Sequence, residues 1–279
     1  MINMNEKDMW NLFRLTGKIE YYIKYKDMIS EKKWFNLEIE KVEGIIIKEK
    51  SYGESSKILD IITKEYGIVG VLSKGCKKLK SNLRSVSMVF TYAYFNISYK
   101  EDKLSTLIDA EIIDNLSNIK KDIDKLSYLN FISELTYGTL KQSDNKNIFD
   151  IYKSAVLKIN EGFDPLVITN ILELKYLKFL GVYPKLNGCV ICSNPNVVTI
   201  SASRGGYVCE KHLDNDYIVS PKTIKMIRML EYVDISKISK LDVSDTVKKE
   251  INAFIDDYYD RYTGLYLKSK NFLKKLVNL

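Results

Sequence analysis

Histidine occurs once in the 279 residues, as His212. A chain with one imidazole has no HExxH motif, and it has a histidine-based nucleophile pair or triad only if that residue is free. Long apolar runs are missing as well. No stretch of 18 apolar residues is present, so no transmembrane helix is expected. The opening MINMNEKDMW has neither a basic n-region nor an apolar h-region, so no secretory signal is read and the expected location is the cytoplasm. There is no phosphate-loop sequence. Gly53-Glu54-Ser55-Ser56-Lys57 is too short to be one, which argues against a P-loop ATPase. Internal repeats and low-complexity linkers are absent. Acid pairs such as Asp256-Asp257 occur on a charged helical stretch, where a solvated face is the ordinary explanation. None of this supplies a catalytic constellation, and the expectation is a protein that is not an enzyme.

What is present describes a globular chain. Hydrophobic residues make up 46% and charged residues 28%, enough for a sizeable core and too apolar for disorder. The length fits one large domain or two ordinary ones. Net charge is +7, and its distribution matters more than its size. Between Lys41 and Arg84 ten Lys or Arg face five acids, so most of the excess sits in about one sixth of the chain. A concentrated basic surface suits a polyanion. The competing explanation is a solvated strand edge protected against aggregation.

The texture changes twice. Residues 1–38 form a leader of unreadable role, in which Asp8–Lys26 has helical apolar spacing. From Val42 the chain turns to short β-type runs: Val42–Lys48, Ile58–Thr63, Ile68–Ser73, Val89–Tyr99 and Leu104–Ile113. Five strands separated by turn signals predict a small barrel or sandwich, and the OB-fold is the five-stranded barrel used for oligonucleotides. From Ile119 the period becomes helical, over Ile119–Leu140, Ile148–Asn160, Leu166–Leu180, Pro221–Tyr232 and Val247–Leu267. The expected class is α+β: an OB-fold at 39–118, then an all-helical domain at 119–279 with a zinc ribbon inserted at 187–213.

The sharpest motif is Cys189-x2-Cys192-x16-Cys209-x2-His212. Each two-residue gap presents two ligands from one tight turn, and the segment between folds the pairs together into a tetrahedral zinc site. Four protein ligands leave no open position for water, so the zinc is expected to be structural. The alternative is a chance cluster of buried cysteines. With His212 used in this way, no imidazole remains for catalysis. The fourth cysteine, Cys76, lies in a basic loop, Lys74-Gly75-Cys76-Lys77-Lys78-Leu79-Lys80, with Arg84 beyond, and reads as an incidental thiol. The loop's Lys74, Lys77, Lys78, Lys80 and Arg84 are candidates for phosphate contacts that carry no sequence preference. Period-2 alternation places Phe90, Tyr92 and Tyr94 on one face of the fourth strand and Phe95 on the other. Tyr92 and Tyr94 are candidate stacking platforms for bases, against the commoner role of strand aromatics in a core.

Several of these segments resemble the RecO family. Glu43-Gly44-Ile45-Ile46-Ile47-Lys48 with Tyr52-Gly53-Glu54-Ser55-Ser56-Lys57-Ile58-Leu59 is similar to its opening. So are Thr63-Lys64-Glu65-Tyr66-Gly67 and Ser73-Lys74-Gly75-Cys76-Lys77-Lys78. Leu104–Glu111 fits the family's fifth strand, Tyr266–Leu273 its C-terminal helix, and the cysteines fall where zinc-bearing members place theirs. The resemblance covers about residues 40 to 275. His212 stands where a Cys is common, and the leader has no counterpart, reading as an extra helix or a wrongly chosen translation start. The resemblance implies a recombination mediator in DNA repair. Such a protein binds single- and double-stranded DNA and anneals strands coated with single-strand binding protein. It docks that protein's acidic, hydrophobic C-terminal tail on the helical domain and acts with RecR to load the recombinase in the cytoplasm, at the nucleoid. Lys268 and Lys270 are loose candidates for the acidic partner. Two rivals stay open: an OB-plus-ribbon protein acting on RNA or in transcription, and a zinc-dependent nuclease.

Overall fold

The computed structural model describes residues 6–35 and 39–277. Five strands, β1 (Ile39–Tyr52), β2 (Ser56–Thr63), β3 (Gly67–Ser73), β4 (Tyr92–Ser98) and β5 (Ser105–Asp114), close a barrel in the order β1-β2-β3-β5-β4. All pairs are antiparallel except β3 with β5, and this is the strand order of the OB-fold. Alternation along β4 explains the interior: Ala93, Phe95 and Ile97 point inward, where they meet Val42, Leu59 and Ile61. Gly44 is required by close packing, since a Cβ there would lie 2.7 Å from Ile61 Cγ2 and 2.9 Å from Ile62 O.

One irregularity in β1 shapes the outer surface. The register with β2 slips between Ile46 and Lys48. Val42, Gly44 and Ile46 face the barrel interior by simple alternation, and continued alternation would turn residue 48 inward too. The extra residue at the bulge resets the phase, so Lys48 stands opposite Asp60, exposed, and Lys50 stands opposite Ile58, also exposed. Ile45 and Ile47 join the core of the helical region, with Ile62 and Tyr92.

That region is built from α4 (Ser117–Lys120), α5 (Ile123–Leu140), α6 (Asn147–Glu161), α7 (Pro165–Phe179), α8 (Pro221–Tyr232), α9 (Asp245–Tyr262) and α10 (Lys268–Val277). Start signals are explicit. Asp122 accepts from the backbone N–H of Asp124 and Lys125, Asp164 from Leu166 and Val167, and Ser220 from Thr223. Pro165 and Pro221 occupy first turns, where a missing N–H costs nothing. Helix α7 is buried on most sides, from Val167 to Leu174, and runs through the centre of this core.

The sequence expectations fail at boundaries, each time for a local reason. The leader helix expected over 8–26 is two helices, α1 (Glu6–Thr16) and α2 (Ile19–Phe35), because Gly17 takes φ +66° between them. Trp10 and Tyr25 pack at 4.9 Å across this hairpin. The strand expected from Val89 begins at Tyr92, since Phe90 has φ +59°. Asp122 divides the first long helix into α4 and α5. The last expected helix stops at Tyr262, where Gly264 (φ +63°) turns the chain into α10. The basic loop contains a short helix, α3 (Leu83–Val86), whose Val86 packs into the barrel core. A two-stranded hairpin, β6 (Thr199–Ser201) with β7 (Gly206–Val208), carries the cysteine segment.

Candidate nucleic-acid interface and metal centre

The basic loop is held in place by its backbone, which leaves its side chains free. Gly75 N–H donates to Ser56 Oγ at 3.1 Å and Lys77 N–H to Ser55 O at 2.9 Å, so the loop is pinned to the β1–β2 turn. Gly75 takes φ +68° to make the first bend. Cys76 is buried and acts as the apolar foot of the loop. Lys74, Lys78, Lys80 and Arg84 are exposed, and Lys77 is half-buried. Among the described residues, no carboxylate forms an ion pair with any of the five. By contrast, Lys57 and Lys41 on the barrel strands are paired with Glu49 at 2.9 Å and Glu111 at 3.3 Å. The loop thus presents uncompensated positive charge at one end of the barrel.

The two tyrosines expected to stack bases separate from that loop. Tyr92 is 6% exposed and lies in the seam between barrel and helices, so its expected role as a platform is corrected. Its hydroxyl donates to Glu43 Oε1, which also accepts from Lys153 Nζ at 2.9 Å. Burial works to raise the Glu43 carboxyl, but the bonds from Tyr92 and Lys153 and the charges of Lys153 and Lys64 outweigh it and hold the group below the usual range. Burial and the same carboxylate push the Tyr92 phenol far up. Phe90 is buried as well. Tyr94 is 38% exposed, with Lys41 Nζ 4.6 Å from its ring centroid. Its cross-strand neighbours are Glu43 and Glu111, and Asp109 stands opposite the next outward residue, Asn96. This is an acidic setting on β4, separated from β2 by β1. The exposed aromatic beside the loop is one that sequence reasoning missed. Tyr52, 54% exposed, ends β1 at the same turn that anchors Lys77. Its place in the Tyr-Gly-Glu-Ser-Ser turn was the available signal.

The four expected metal ligands converge. Cys189, Cys192, Cys209 and His212 place their ligand atoms within 4.8 Å of one another. Cys192 Sγ and Cys209 Sγ are 3.7 Å apart; His212 Nδ1 is 3.4 Å from Cys209 Sγ and 3.6 Å from Cys189 Sγ. A tetrahedron with metal–sulfur bonds of about 2.3 Å has edges of about 3.8 Å, so the spacing and the donor set both fit a four-coordinate ion. Local backbone explains the convergence. Cys189 N–H donates to Asn194 O and Ser193 N–H to Cys189 O, both at 2.9 Å, which closes the first knuckle. Gly188 is needed because a Cβ would lie 2.7 Å from Ser193 O. The second knuckle closes as His212 N–H donates to Cys209 O at 3.0 Å. Gly206 bridges to Lys185, so the hairpin that leads to Cys209 is tied to the segment entering Cys189. Burial raises the Cys189 thiol, but N–H groups of Cys192, Cys209 and Ile191 turned toward its sulfur bring it down to about 5.

Lys268 is exposed, whereas Lys270 lies between Asp256 at 3.1 Å and Asp260 at 3.2 Å with its side chain 11% exposed. Lys270 is therefore committed internally, which corrects its candidacy for an acidic partner. The Asp256-Asp257 pair is likewise engaged, Asp256 with Lys270 and Asp257 with Arg261. No helix among the described residues is long and apolar enough to cross a membrane.

Comparison with known proteins agrees with this architecture. The family model "Recombination protein O N terminal" matches residues 37–116, and "Recombination protein O C terminal" matches residues 120–271. The chain is 36% identical over 244 residues to the DNA repair protein RecO of Bacillus velezensis, covering 86% of this chain and 95% of that protein. It is 35% identical to the RecO of Bacillus subtilis over the same shares. It is 32% identical to that of Halalkalibacterium halodurans, covering 86% and 96%. An OB barrel joined to a helical region with a four-ligand cysteine–histidine cluster, matched along most of its length, belongs to the RecO family of DNA repair and recombination proteins.

Proposed function

We propose that this protein is a recombination mediator that holds DNA by its phosphates and brings complementary strands together without bond-making chemistry. The observation that carries the reading is the pinned loop. Lys74, Lys77, Lys78, Lys80 and Arg84 project from the end of an OB barrel with no carboxylate to neutralise them among the described residues. Phosphates on such a loop release counterions, so binding is weakly dependent on sequence and strongly dependent on salt. Tyr52 supplies an exposed ring beside the loop for stacking, and Tyr94 offers a second ring on the other side of β1.

The cysteine–histidine cluster is assigned to one structural zinc. Three sulfurs and one imidazole suit that ion, and four protein ligands leave no position for a catalytic water. The metal would lock the 187–213 insert onto the helical domain, taken as 119–279, while residues 39–118 serve as the DNA-binding domain. Annealing needs two strands held close with their repulsion screened, and it consumes no ATP. The partners in this reading are single- and double-stranded DNA, the C-terminal tail of single-strand binding protein, and RecR, in the cytoplasm at the nucleoid. For the acidic, apolar tail, the helical domain offers a cleft between α6, α7 and the turn at Asp234. There the half-buried Lys175 lies among Ile151, Phe179 and Ile235, and burial lowers its amine.

The test is annealing of complementary oligonucleotides precoated with the cognate single-strand binding protein, with and without its C-terminal tail. Tail-dependent annealing without ATP supports the mediator reading. Binding of bare DNA without annealing of coated strands overturns it and moves an RNA or transcription role forward, which competition between DNA and structured RNA then decides.

A further inference from the structure

Tyr137 sits on α5 where the helical region meets the barrel, and two lysines from different structural units converge on its ring. Lys48 of β1 and Lys141, one turn beyond Tyr137 at the C-cap of α5, each hold Nζ 4.5 Å from the ring centroid. Both lysines are exposed, and among the described residues neither forms an ion pair. Cation–π contact fixes an ammonium in place and leaves its N–H donors turned to solvent. Lys141 alone has a structural explanation, since a cation at a helix C-terminus is favourable. Lys48 has none of that kind. It faces outward only because the β1 bulge resets the strand's phase, and bulges of this sort re-aim side chains at working surfaces.

Two like charges on one ring repel each other, and an anion between them removes that cost. The neighbouring acids form no ion pair with them. Glu134 is near enough for the Lys48 charge to help lower its carboxyl, but its oxygens are engaged by the start of α10, accepting from the N–H of Lys268 at 3.2 Å and of Ser269 at 2.8 Å. Asp60 stands opposite Lys48 in the sheet but is not ion-paired with it. Lys50, two residues along the same outer face, is also exposed and without an ion pair among the described residues. Lys48, Lys50, Ile58 and Val89 line a depression of about 450 Å³, together with Asp60 and with Glu49, whose charge is taken by Lys57 at 2.9 Å. Val89 closes the segment that carries the basic loop, and Lys57 donates to Ser87 O in that segment at 3.4 Å. The depression thus runs from Lys48, which reaches the Tyr137 ring, to Val89, at the end of the segment that follows the basic loop.

We propose that the DNA track continues off the barrel and crosses the seam, with Lys48, Lys50 and Lys141 gripping the sugar–phosphate backbone and Tyr137 as their mount. The inference rests on the DNA-binding reading above. It adds that the helical region is itself part of the nucleic-acid surface, and that one bound strand ties the two units together.

The test uses the full chain and a fluorescein-labelled oligothymidylate long enough to pass both loop and seam, titrated at several salt concentrations. Three variants are compared: Lys48→Gln with Lys141→Gln; the loop set Lys74, Lys77, Lys78 and Lys80→Gln; and both sets together. Removing the seam pair should reduce the slope of log K against log salt by about 1.4, at about 0.7 per phosphate on single strands, additively with the loop set. Lys48→Arg with Lys141→Arg should restore the wild-type slope. A seam variant with wild-type affinity and slope, beside a loop variant that loses both, overturns the extended track and leaves the barrel reading intact. A seam effect that arginine fails to rescue traces to disturbed packing of Tyr137 and overturns the proposal too. Loss in the seam variant beside an unaffected loop variant supports the seam and removes the loop from the DNA site.

Discussion

Glu43 in β1 and Lys153 in α6, 110 residues apart, meet at 2.9 Å across the seam between barrel and helices. The carboxylate also accepts from Tyr92, and its side chain is 11% exposed. The contact has two expected consequences. The Glu43→Gln variant should be less stable by about 1–3 kcal/mol at pH 7, because charge-assisted bonds to Lys153 and Tyr92 are exchanged for neutral ones. The sign of the pH dependence follows from the lowered carboxyl. Its stabilisation is fully present above the unfolded value of about 4.3 and fades as pH falls through the lower folded value. Urea unfolding from pH 7 to pH 3 should show the two proteins converging below about pH 4. A constant gap across that range would remove Glu43 as the titrating group.

The tyrosines of the barrel should sort by burial. Tyr92→Phe removes a hydroxyl bonded in the seam and should lower stability by about 1 kcal/mol with unchanged DNA affinity. Tyr52→Ala leaves the core untouched and should weaken single-strand binding by about 1–3 kcal/mol if a base stacks there. Tyr94→Ala should have the smaller effect on binding, given Glu111 and Asp109 around it. Fluorescence anisotropy with one oligonucleotide, paired with thermal melts, separates these cases. A Tyr94 effect larger than that of Tyr52 would move the stacking surface to the β4 side of the barrel.

Much of this arrangement was legible in the chain, and the parts that were not share a cause. Turn residues and hydrophobic period marked the five strands and most helices, and the cysteine spacing marked the ligand set, because each is a local pattern. The bulge at Ile47 is set by pairing with β2, and no residue in VEGIIIK announces it, so the outward turn of Lys48 was invisible. Period-2 alternation was carried through Phe90, whose positive φ is unusual for an aromatic residue and ends the strand's phase before Tyr92. The burial of Tyr92 depends on a second structural unit docking over β4, which a strand pattern does not contain. Lys270 looked like surface charge until Asp256 and Asp260 closed on it from the preceding helix.

The geometry of the cysteine–histidine cluster depends on a glycine outside it. A Cβ on Gly206 would lie 2.3 Å from Lys185 O, and the residue has φ +152°. The Gly206→Ala variant should therefore part the hairpin from the segment that enters Cys189, costing about 1–3 kcal/mol or more. Cys189→Ser should lose the metal outright and weaken DNA binding only through reduced stability. Elemental analysis of purified protein, before and after chelator, checks both. The expected result is one zinc per chain in the wild type, none in Cys189→Ser, and faster loss to chelator in Gly206→Ala. One equivalent of zinc retained by Cys189→Ser would contradict the ligand assignment.

The C-terminal helix is docked by electrostatics at its first turn, and each half of that contact can be tested alone. Glu134 on α5 accepts from the N–H groups of Lys268 and Ser269 and from the Ser269 hydroxyl, so it caps α10 from another helix. Removing it by Glu134→Ala should cost about 1–2 kcal/mol and raise amide exchange along α10 before the rest of α5 responds. Lys270 acts at the same junction with the opposite charge. Burial lowers its amine, and Asp256 and Asp260 outweigh that, so the net shift is upward. A raised lysine contributes stability below its unfolded value of about 10.4 and loses it as pH rises through the folded value. Lys270→Gln should therefore be less stable than wild type at pH 8, and the two should converge only above about pH 10.5. Early, isolated exchange of α10 in both variants would place the last helix as a separately released element; simultaneous exchange of α5 and α10 would show that the two unfold as one unit.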